Sequence, residues 1–449
     1  MRMLRPTLLL IASLALSACG GTRRSQPPPA KWTSGFWFWH GSVTSAASSV
    51  EKPDVLFVHV GTILQIASPK VSAWLPEDLP EAREYWLVFR FERQAVPDLQ
   101  AVPVLIREVS QLRAIAQTRH LNVAGVQLDI DSPTNALERY ATFIREFRKG
   151  LAPGFEISIT ALLDWFRDGT AIADVIQETD EFVPQFYDVA KPNHNEETSA
   201  IAAKFDAAQW APKFNRFQKR YRIGISTFGR ARVLPRENQP ESWYGSSLFA
   251  DLTPLDFASN SAFTLRTSRN QANELVLNYQ AKSKVRIGYA DFDPGGTIQF
   301  ILPTPEVIRT AVESAKRMQG YCAGVVFFRW PASYETLTMQ PDEVMNVADL
   351  IHYAVKPVAI EAVQGSCVAV NCTDLYLANA NPFSTRSARY RIRSSADLEY
   401  FLPEEKLPVR MLGPSELELS LPAYSTRPRL YLGRAVAAAR VGFSVTEEP

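Results

Sequence analysis

The sequence lacks most of the short motifs that assign a chain to a familiar enzyme class. It has no Walker loop, no Rossmann glycine pattern and no G-x-S-x-G elbow, and its histidines show no metal-ligand spacing with carboxylates or cysteines. The formal charge is only +1, so no global field attracts nucleic acid. No segment repeats with a fixed period. These absences predict a protein with no bound metal, no cofactor and no nucleic-acid partner.

Cysteine is scarce, and the first of the four residues lies at an informative place. Arg2 and Arg5 precede the apolar run LLLIASLALSA, which is too short to span a bilayer as a stable helix and is followed at once by Cys19. The pattern resembles a bacterial lipobox, in which the chain is cut before the cysteine and the cysteine is lipidated. Residues 1–18 are therefore predicted to be a lipoprotein signal peptide, and the Pro-rich residues 19–33 a flexible tether.

The residue after Cys19 bears on the destination. It is Gly20 rather than Asp, which by resemblance to lipoproteins of Gram-negative bacteria favours the outer membrane, facing the periplasm. The expected contact with the membrane is the lipid anchor alone. An ordinary secretory signal with an incidental cysteine is the alternative. Removing residues 1–18 deletes two arginines and changes the formal charge from +1 to −1.

The other three cysteines have local explanations. Cys367 and Cys372 lie five residues apart in a polar loop, and an exported protein could oxidise them to a disulfide; two free thiols are the alternative. Cys322 lies beside the apolar run GVVFF and is predicted to be a buried structural thiol.

Short β-rich runs alternate with helical stretches along most of the chain. Eight such runs precede residue 331, and amphipathic segments lie between several of them. One segment places five apolar side chains on a single helical stripe: Leu137, Tyr140, Ile144, Phe147 and Leu151. The alternation predicts a (β/α)8 TIM barrel over residues 34–358. A doubly wound sheet is the rival architecture, although polar side chains in mid-strand are costly on either face of such a sheet.

Two further segments do not fit the barrel repeat. The interval 232–300 is too long for one βα loop and contains strand-like runs, so we expect a small inserted α+β element between the seventh and eighth strands. After about residue 358 the helical periodicity stops, and short strands follow that are separated by Pro, Gly, Ser and Asn. Residues 359–449 are therefore predicted to be an all-β, sandwich-like domain.

The run VAGVQLDIDSP (123–133) is the most informative of the predicted strands. At a strand's period of two, its apolar residues share one face, and the other face carries Gln127, Asp129 and Asp131. Charged groups buried without partners are costly. A barrel offers partners and water at its C-terminal mouth, where barrel enzymes keep their sites. The two carboxylates are therefore predicted to point into that mouth.

The strand ends resemble those of family-18 glycoside hydrolases, the chitinase-like TIM barrels. The fourth strand of that family ends in D-G-x-D-x-D-x-E; AGVQLDID keeps Gly125 and Asp129, and Asp131 stands where the catalytic Glu would be. QFYD (185–188) resembles M-x-Y-D, GISTFGR (224–230) resembles G-x-P-x-Y-G-R, and the eighth strand supplies a terminal Trp. The third-strand S-x-G-G signature is absent. The whole arrangement also resembles a family of bacterial lipoproteins described only as a domain of unknown function.

The resemblance implies a site and a reaction. In the family, the strand-four Glu protonates the leaving glycosidic oxygen, and the neighbouring Asp orients the N-acetyl group of the substrate, which acts as the nucleophile. Carried over, Asp131 would be the general acid, Asp129 its partner and Tyr187 the hydrogen-bond donor to the acetamide. The implied partner is an oligosaccharide that contains N-acetylhexosamine.

The remaining candidates would bind the substrate or support the site. The motif positions supply Trp330, as a stacking floor, with Gln127, Gln185, Asp188 and Arg230. Strand parity adds Trp39, which could stack on a sugar, and Glu92, which could pair with Arg90 inside the barrel.

Three functions stay open at this level. Asp is one methylene shorter than Glu, so the carboxylate of Asp131 ends about 1.5 Å short, and misplacement by about 1 Å can cost on the order of 100-fold in rate. Substrate-assisted hydrolysis is the first hypothesis. A barrel that binds glycan without cutting it is the second. The third is a structural envelope lipoprotein whose inner polar residues form hydrogen bonds in the barrel core.

Overall fold

The computed structural model describes most of the chain after the predicted tether. The described residues are 31–39, 49, 51–64, 70–92, 98–188, 200–234, 252–258, 260–288, 290–332, 335, 337–350, 356–368, 370–381, 388–404, 407–421 and 429–448. The predicted signal peptide and Cys19 lie outside them. Among the described residues, no helix combines the length and the apolar character that crossing a bilayer requires.

The first 350 residues contain fifteen described strands and seven described α-helices. The strands are β1 (Thr33–Phe38), β2 (Val55–Leu64), β3 (Lys70–Ala73), β4 (Glu84–Phe91), β5 (Val123–Asp129), β6 (Glu156–Ala161), β7 (Glu181–Pro184), β8 (Arg220–Ser226), β9 (Arg230–Val233), β10 (Phe263–Arg269), β11 (Leu275–Ala281), β12 (Val285–Ile287), β13 (Ala290–Phe292), β14 (Thr297–Leu302) and β15 (Cys322–Trp330). The helices are α1 (Ala101–Thr118), α2 (Leu137–Lys149), α3 (Ile172–Gln177), α4 (Ala207–Asn215), α5 (Pro254–Ala258), α6 (Pro305–Arg317) and α7 (Pro341–Val347).

Eight parallel strands close into a barrel. Their order around the ring is β1, β2, β4, β5, β6, β7, β8 and β15, and β15 pairs again with β1. This closure confirms the predicted TIM barrel and excludes the doubly wound sheet, which would have two open edges. The short strand β3 pairs antiparallel with β2 outside the ring.

Alternation along the strands separates two apolar layers. Residues on the outer face of each strand pack against the helices; on β5 these are Val126 and Leu128. Residues on the inner face fill the barrel itself, where Trp37, Phe57 and Trp86 form a small aromatic core. The barrel is therefore a packed interior below its mouth, as the filling of such barrels by side-chain layers requires.

Helix α2 carries the predicted apolar stripe as far as Phe147, and helix α6 begins with two sequence signals of a helix start. The α2 stripe is buried at Leu137, Tyr140, Ile144 and Phe147, against the outer face of the barrel. Helix α6 begins after Thr304, whose hydroxyl accepts a hydrogen bond from the Val307 amide at 3.4 Å, and proline occupies the first turn. Both the N-cap and the proline suit a helix start.

The predicted insertion is a small α+β element between β8 and β15. An antiparallel sheet in the order β10, β11, β14, β9 packs on α5. Its core is separate from that of the barrel and is rich in aromatic side chains, including Phe257, Tyr279 and Phe300. The DPGG segment (293–296) makes a turn, in which the Gly296 amide donates to the Asp293 carbonyl at 2.9 Å.

The C-terminal region is all-β, as predicted. Its strands are β16 (Ala359–Gln364), β17 (Asn371–Ala378), β18 (Ala388–Ser394), β19 (Tyr400–Pro403), β20 (Val409–Gly413), β21 (Glu416–Leu421), β22 (Arg429–Ala437) and β23 (Phe443–Glu448). They form two four-stranded antiparallel sheets, β16-β17-β22-β19 and β20-β21-β18-β23. One apolar cluster draws residues from both sheets, which is the packing of a sandwich.

Three of the four cysteines lie in the described part of the chain, and the open choice at Cys367 and Cys372 is decided there. Cys367 and Cys372 are joined by a disulfide with their Cα atoms 5.9 Å apart. Cys322 is a buried free thiol at the start of β15.

Candidate active site at the barrel mouth

A cavity of about 240 Å³ lies at the C-terminal ends of the barrel strands. Six of the predicted site residues line it: Trp39, Asp129, Asp131, Gln185, Tyr187 and Asp188. Five other residues complete the wall: Trp37, Arg90, Thr160, Leu162 and Phe328. The residues that the sequence placed at the ends of separate strands are thus brought together around one space.

Asp129 is the buried member of the acidic pair. Its side chain is almost fully removed from solvent, and its Oδ1 accepts a hydrogen bond from the Thr160 hydroxyl at 2.7 Å. The nearest cation is Arg90, whose Nη1 lies 3.8 Å from Oδ2. Burial and then the charge of Asp131 raise the pKa of Asp129 to about 6, although Arg90 and Thr160 act in the opposite direction. Asp129 therefore gains or loses a proton close to neutral pH.

Asp131 is the open member of the pair. It follows the end of β5 and is exposed to the cavity, while Ile130 between the two acids is buried against the outer layer. Partial desolvation in the cleft raises the pKa of Asp131, and Arg90 lowers it. Two carboxylates on one strand face, near one guanidinium, cannot both ionise freely.

Tyr187 stands among three carboxylates. Burial and then the charges of Asp129, Asp188 and Asp131 raise the pKa of its phenol well above the ordinary value. The phenol is therefore neutral at physiological pH and can act as a hydrogen-bond donor. Its ring stacks on Phe328 with centroids 5.4 Å apart and meets Trp37 edge-on at 6.3 Å.

Trp39 meets Phe328 edge-on, with centroids 5.8 Å apart. His59 stacks on the Trp39 ring with centroids 4.5 Å apart, and the Arg90 guanidinium carbon lies 5.8 Å from the centroid of the same ring. Burial, with the charge of Arg90, lowers the pKa of His59 to about 4, so this imidazole is neutral and packs as an aromatic ring. His59 thus supports Trp39 and does not act as an acid or a base near neutral pH.

Asp188 and Arg230 form an ion pair at the rim. The Arg230 Nη2 atom lies 2.7 Å from Oδ1 of Asp188, which has a positive φ of 51°. Asp188 comes from the end of β7 and Arg230 from the first strand of the insertion, so the pair ties the insertion to the mouth. Arg230 itself is not among the lining residues.

Besides Arg230, three predicted substrate-binding residues do not line the cavity, which corrects the sequence interpretation. Gln127 is 0% exposed below the cavity, where its Oε1 accepts from Trp37 Nε1 at 2.7 Å and its Nε2 donates to Ser158 Oγ at 3.0 Å. Glu92 is exposed at the end of β4 and does not line the cavity. Its suggested partner Arg90 instead lies beside Asp129.

Trp330 is the third correction, and a β-bulge explains it. The pairing of β1 with β15 skips a residue: Phe36 opposes Phe327, but Phe38 opposes Trp330. An extra residue in one strand reverses the side-chain parity beyond it. Trp330 is therefore buried in the outer layer beside Phe36, with centroids 5.2 Å apart, and Phe328 takes the inward position.

Sequence reasoning missed Phe328 and gave Arg90 the wrong neighbour. Parity alone places Arg90 on the inner face of β4, next to Trp86 and Val88, so the signal for an inward cation was present. Across the described part of the chain, no group of three or more His, Cys, Asp or Glu side chains is arranged to hold a metal ion.

Part of the chain matches a known family model. Residues 81–246, which include both acids, Tyr187 and Arg230, match a family described as a domain of unknown function, DUF3142. The predicted resemblance to an uncharacterised family is thereby confirmed for that stretch. No curated protein matches the chain.

The solved structures similar to this chain are chitinase-like barrels, as the strand motifs predicted. The spore cortex-lytic enzyme SleL of Bacillus cereus is 12% identical, with 74% of this chain and 76% of that chain covered and a TM-score of 0.42. Chitinase ChiA74 of Bacillus thuringiensis is 10% identical over 92% of this chain and 100% of that chain, with a TM-score of 0.42. The class V chitinase of Nicotiana tobaccum is 12% identical over 71% and 99%, with a TM-score of 0.43.

At these identities and TM-scores, the similarity shows nothing about activity or substrate. The closed ring of eight parallel strands is the direct evidence for the barrel fold.

Proposed function

We propose that the barrel binds glycans that contain N-acetylhexosamine and hydrolyses them with assistance from the substrate's own acetamide. The observation that carries this proposal is the grouping of Asp129, Asp131 and Tyr187 around one cavity at the barrel mouth. Two carboxylates whose environments differ, beside a neutral phenol, can divide the roles of proton donor and dipole orientation.

In the proposed reaction, Asp131 carries the proton for the leaving group. The glycosidic oxygen takes that proton as the acetamide oxygen attacks the anomeric carbon, so the C–O bond breaks and a cyclic intermediate forms. Asp129 accepts a hydrogen bond from the acetamide N–H, and Tyr187 donates to the acetamide oxygen. Water then attacks the anomeric carbon as the bond between that carbon and the acetamide oxygen breaks, and it gives a proton to Asp131. The acetamide and both acids thereby return to their starting states. Exposure of Asp131 to the cavity suits contact with a leaving group.

The aromatic wall supports a sugar ligand. Trp39, Tyr187 and Phe328 present rings to the cavity, and carbohydrate C–H faces pack well on such rings. Trp39 and Phe328 therefore take the stacking role that the sequence had assigned to Trp330.

A barrel that binds glycan without cutting it is the second candidate, and Gln127 favours it. In the resembling family an acid stands at this position; here the amide is held by Trp37 and Ser158 and is sealed below the cavity. It supplies no charge to raise the pKa of the acid above it. The shorter side chain of Asp131 points the same way.

Turnover decides between the two candidates. Aryl chitobiosides and peptidoglycan fragments would be incubated with the wild type and with Asp131→Asn, Asp129→Asn and Glu138→Gln, a surface control on α2. Hydrolysis requires product release by the wild type and by the control, and loss of about 100-fold or more in both Asp variants. Binding of the oligosaccharides without product selects the non-catalytic barrel. Absence of both leaves the third hypothesis, a structural envelope lipoprotein.

We also propose that the protein is anchored by a lipid on Cys19 to the outer membrane and faces the periplasm. This proposal rests on the lipobox-like sequence and on Gly20. Cys19→Ser is expected to move the protein from the membrane fraction to the soluble periplasmic fraction. Retention of the variant in the membrane fraction rejects lipid anchoring.

A further inference from the structure

Glu274 is a fully buried carboxylate in the insertion, far along the chain from the acids of the cleft. It lies in the turn between β10 and β11 and is 0% exposed. Its Oε2 accepts from the Ile201 amide at 2.9 Å, and its Oε1 accepts from the Ala202 amide at 3.0 Å. The Asn270 side chain donates a third hydrogen bond to Oε2 at 2.8 Å. Both carboxylate oxygens are thus committed, and two of the donors belong to another element.

Those two donors belong to the segment that supports the cleft. Ala202 forms an antiparallel bridge with Tyr187, and the Asp188 amide donates to the Ile201 carbonyl at 2.8 Å. The Ala203 amide donates to the Phe186 carbonyl at 2.9 Å. Residues 201–203 are therefore the backbone partner of residues 186–188, which carry two cavity-lining side chains.

The turn that carries Glu274 is itself fixed. The Asn270 Oδ1 atom accepts from the amides of Ala272 and Glu274 at 3.1 and 3.0 Å. The Thr304 hydroxyl donates to the Asn273 carbonyl at 3.3 Å at the start of α6. A rigid turn whose carboxylate accepts hydrogen bonds from two consecutive amides can hold that segment in one position.

A second link joins the same two regions. Arg230 of β9 pairs with Asp188, and β9 belongs to the sheet whose hairpin contains Glu274. The insertion thus holds the end of β7 both at its outer rim and through its backbone partner. Burial, together with the charge of Asp188, raises the pKa of Glu274, which fits a location beside the rim.

We propose that Glu274 is a positioning residue, which fixes Tyr187 and Asp188 in the cleft by holding the amides of Ile201 and Ala202. The consequence for ligand affinity rests on the proposed glycan-binding function; the consequence for backbone order does not. In Glu274→Gln one amide N–H faces an NH2 group instead of an acceptor, so the 201–203 strand loses one of its two ties. In Glu274→Asp the carboxylate ends about 1.5 Å short of both amides.

Hydrogen exchange followed by mass spectrometry tests the positioning role. Peptides that cover 186–188 and 200–203 should exchange about tenfold faster in both Glu274 variants, while peptides from β4 to β6 keep their wild-type rates. Gln299→Leu is the matched control. Gln299 is buried in the same sheet, bonded to Arg232 and Asn278, and has no described contact with 201–203. This control should loosen the sheet and leave the 200–203 peptide unchanged.

Oligosaccharide affinity separates a positioning role from a general loss of stability, because a loss of stability alone would not change the affinity of the folded protein. N-acetylglucosamine oligomers should bind the Glu274 variants about 3- to 10-fold more weakly than a Gln299→Leu protein of equal melting temperature. Equal exchange rates in the wild type and the Glu274 variants, or equal loss of affinity in the control, overturns the inference. If the wild type binds no oligomer, the proposed function fails, and the exchange rates alone decide the role of Glu274.

Discussion

At the scale of single residues, the mouth of the barrel is defined by an acid whose environment favours its neutral form. Asp129 is buried beside a second carboxylate, and one guanidinium at 3.8 Å offsets only part of that cost. If this position had no function, an amide or an apolar side chain here would make the folded state more stable. Costs of this kind concentrate at sites that bind or react.

Asp129 should make the folded state less stable as the pH rises. Its pKa of about 6 in the folded protein exceeds the value of about 4 in an unfolded chain, so the folded state binds the proton more tightly. Stability is therefore greatest below pH 4 for this group, and on the order of 1–3 kcal/mol is lost between pH 4 and pH 6. Asp129→Asn should abolish that loss and raise the unfolding free energy at pH 7.5, as measured by urea denaturation at several pH values.

Asp374→Asn is the contrasting control for this experiment. Hydrogen bonds from Arg434 lower the pKa of Asp374, so its contribution to stability has the opposite sign. The control should leave the loss between pH 4 and pH 6 in place. An Asp129→Asn protein that keeps the wild-type pH dependence would show that another group causes it.

Arg90 is expected to set the pH at which Asp129 titrates. Its positive charge lowers the pKa of Asp129, so Arg90→Ala should move that pKa above 6. Carbon NMR of the Asp129 carboxyl through a pH titration would measure the change. A lower pKa in the variant would contradict the ion pair. Arg113→Ala, on α1, where the guanidinium packs over the Phe155 ring, is a control that should leave the pKa of Asp129 unchanged.

Replacing Gln127 with the Asp found in the resembling family should destabilise the protein and should not increase its activity. In Gln127→Asp, a buried carboxylate would be too short to hold both Trp37 Nε1 and Ser158 Oγ, and Glu181 lies beyond that serine. We expect a loss of about 2–4 kcal/mol in the unfolding free energy and no gain of turnover. Denaturation and chitobioside assays measure the two quantities. A stable, more active variant would show that the hydrogen bonds of the Gln127 amide do not support the barrel interior.

At the scale of elements, the bulge in β15 decides which aromatic ring faces the cavity. Trp330→Ala should cost about 3–5 kcal/mol because a full indole is lost from the outer layer. Trp39→Ala, at the partly open mouth, should cost less stability but should weaken oligosaccharide binding. Urea denaturation and calorimetric titration separate the two effects. Weak binding in Trp330→Ala with unchanged stability would reverse the assignment.

The limits of the sequence are visible in the same elements. Alternation along one strand is a local property, so the inward acids of β5 and the buried stripe of α2 could be predicted. The parity of Trp330 depends on how β15 pairs with β1, and a bulge leaves no local signal that a single sequence reveals. Strands β3, β16, β20 and β23 could not be predicted individually, because short strands with exposed faces depend on their neighbours for stability. The role of Glu274 depends on contacts across more than 70 residues of chain.

At the scale of the whole molecule, tryptophan reports on the barrel and its insertion alone. All nine tryptophans precede residue 331, and the C-terminal sandwich, with its own apolar cluster, has none. Tryptophan fluorescence can therefore be compared with circular dichroism to follow the sandwich separately.

Loss of the disulfide should weaken the sandwich and leave the barrel unchanged. The loop closed by Cys367 and Cys372 is short, so the entropic contribution is about 2 kcal/mol. The double Cys→Ser variant should show an earlier circular dichroism transition and an unchanged fluorescence transition in urea. A fluorescence midpoint that shifts equally would show that the two regions unfold as one cooperative unit.

Ion pairs between side chains close the N-terminal end of the barrel. Glu181 is buried between Arg220 and Arg222, and Arg220 also binds Glu156, so charged side chains plug the strand starts beneath the packed aromatic layer. The barrel interior is therefore closed at this end and opens only at the mouth. Any ligand of the cavity would have to enter and leave through the mouth, so a bound ligand would block the entry of a second one.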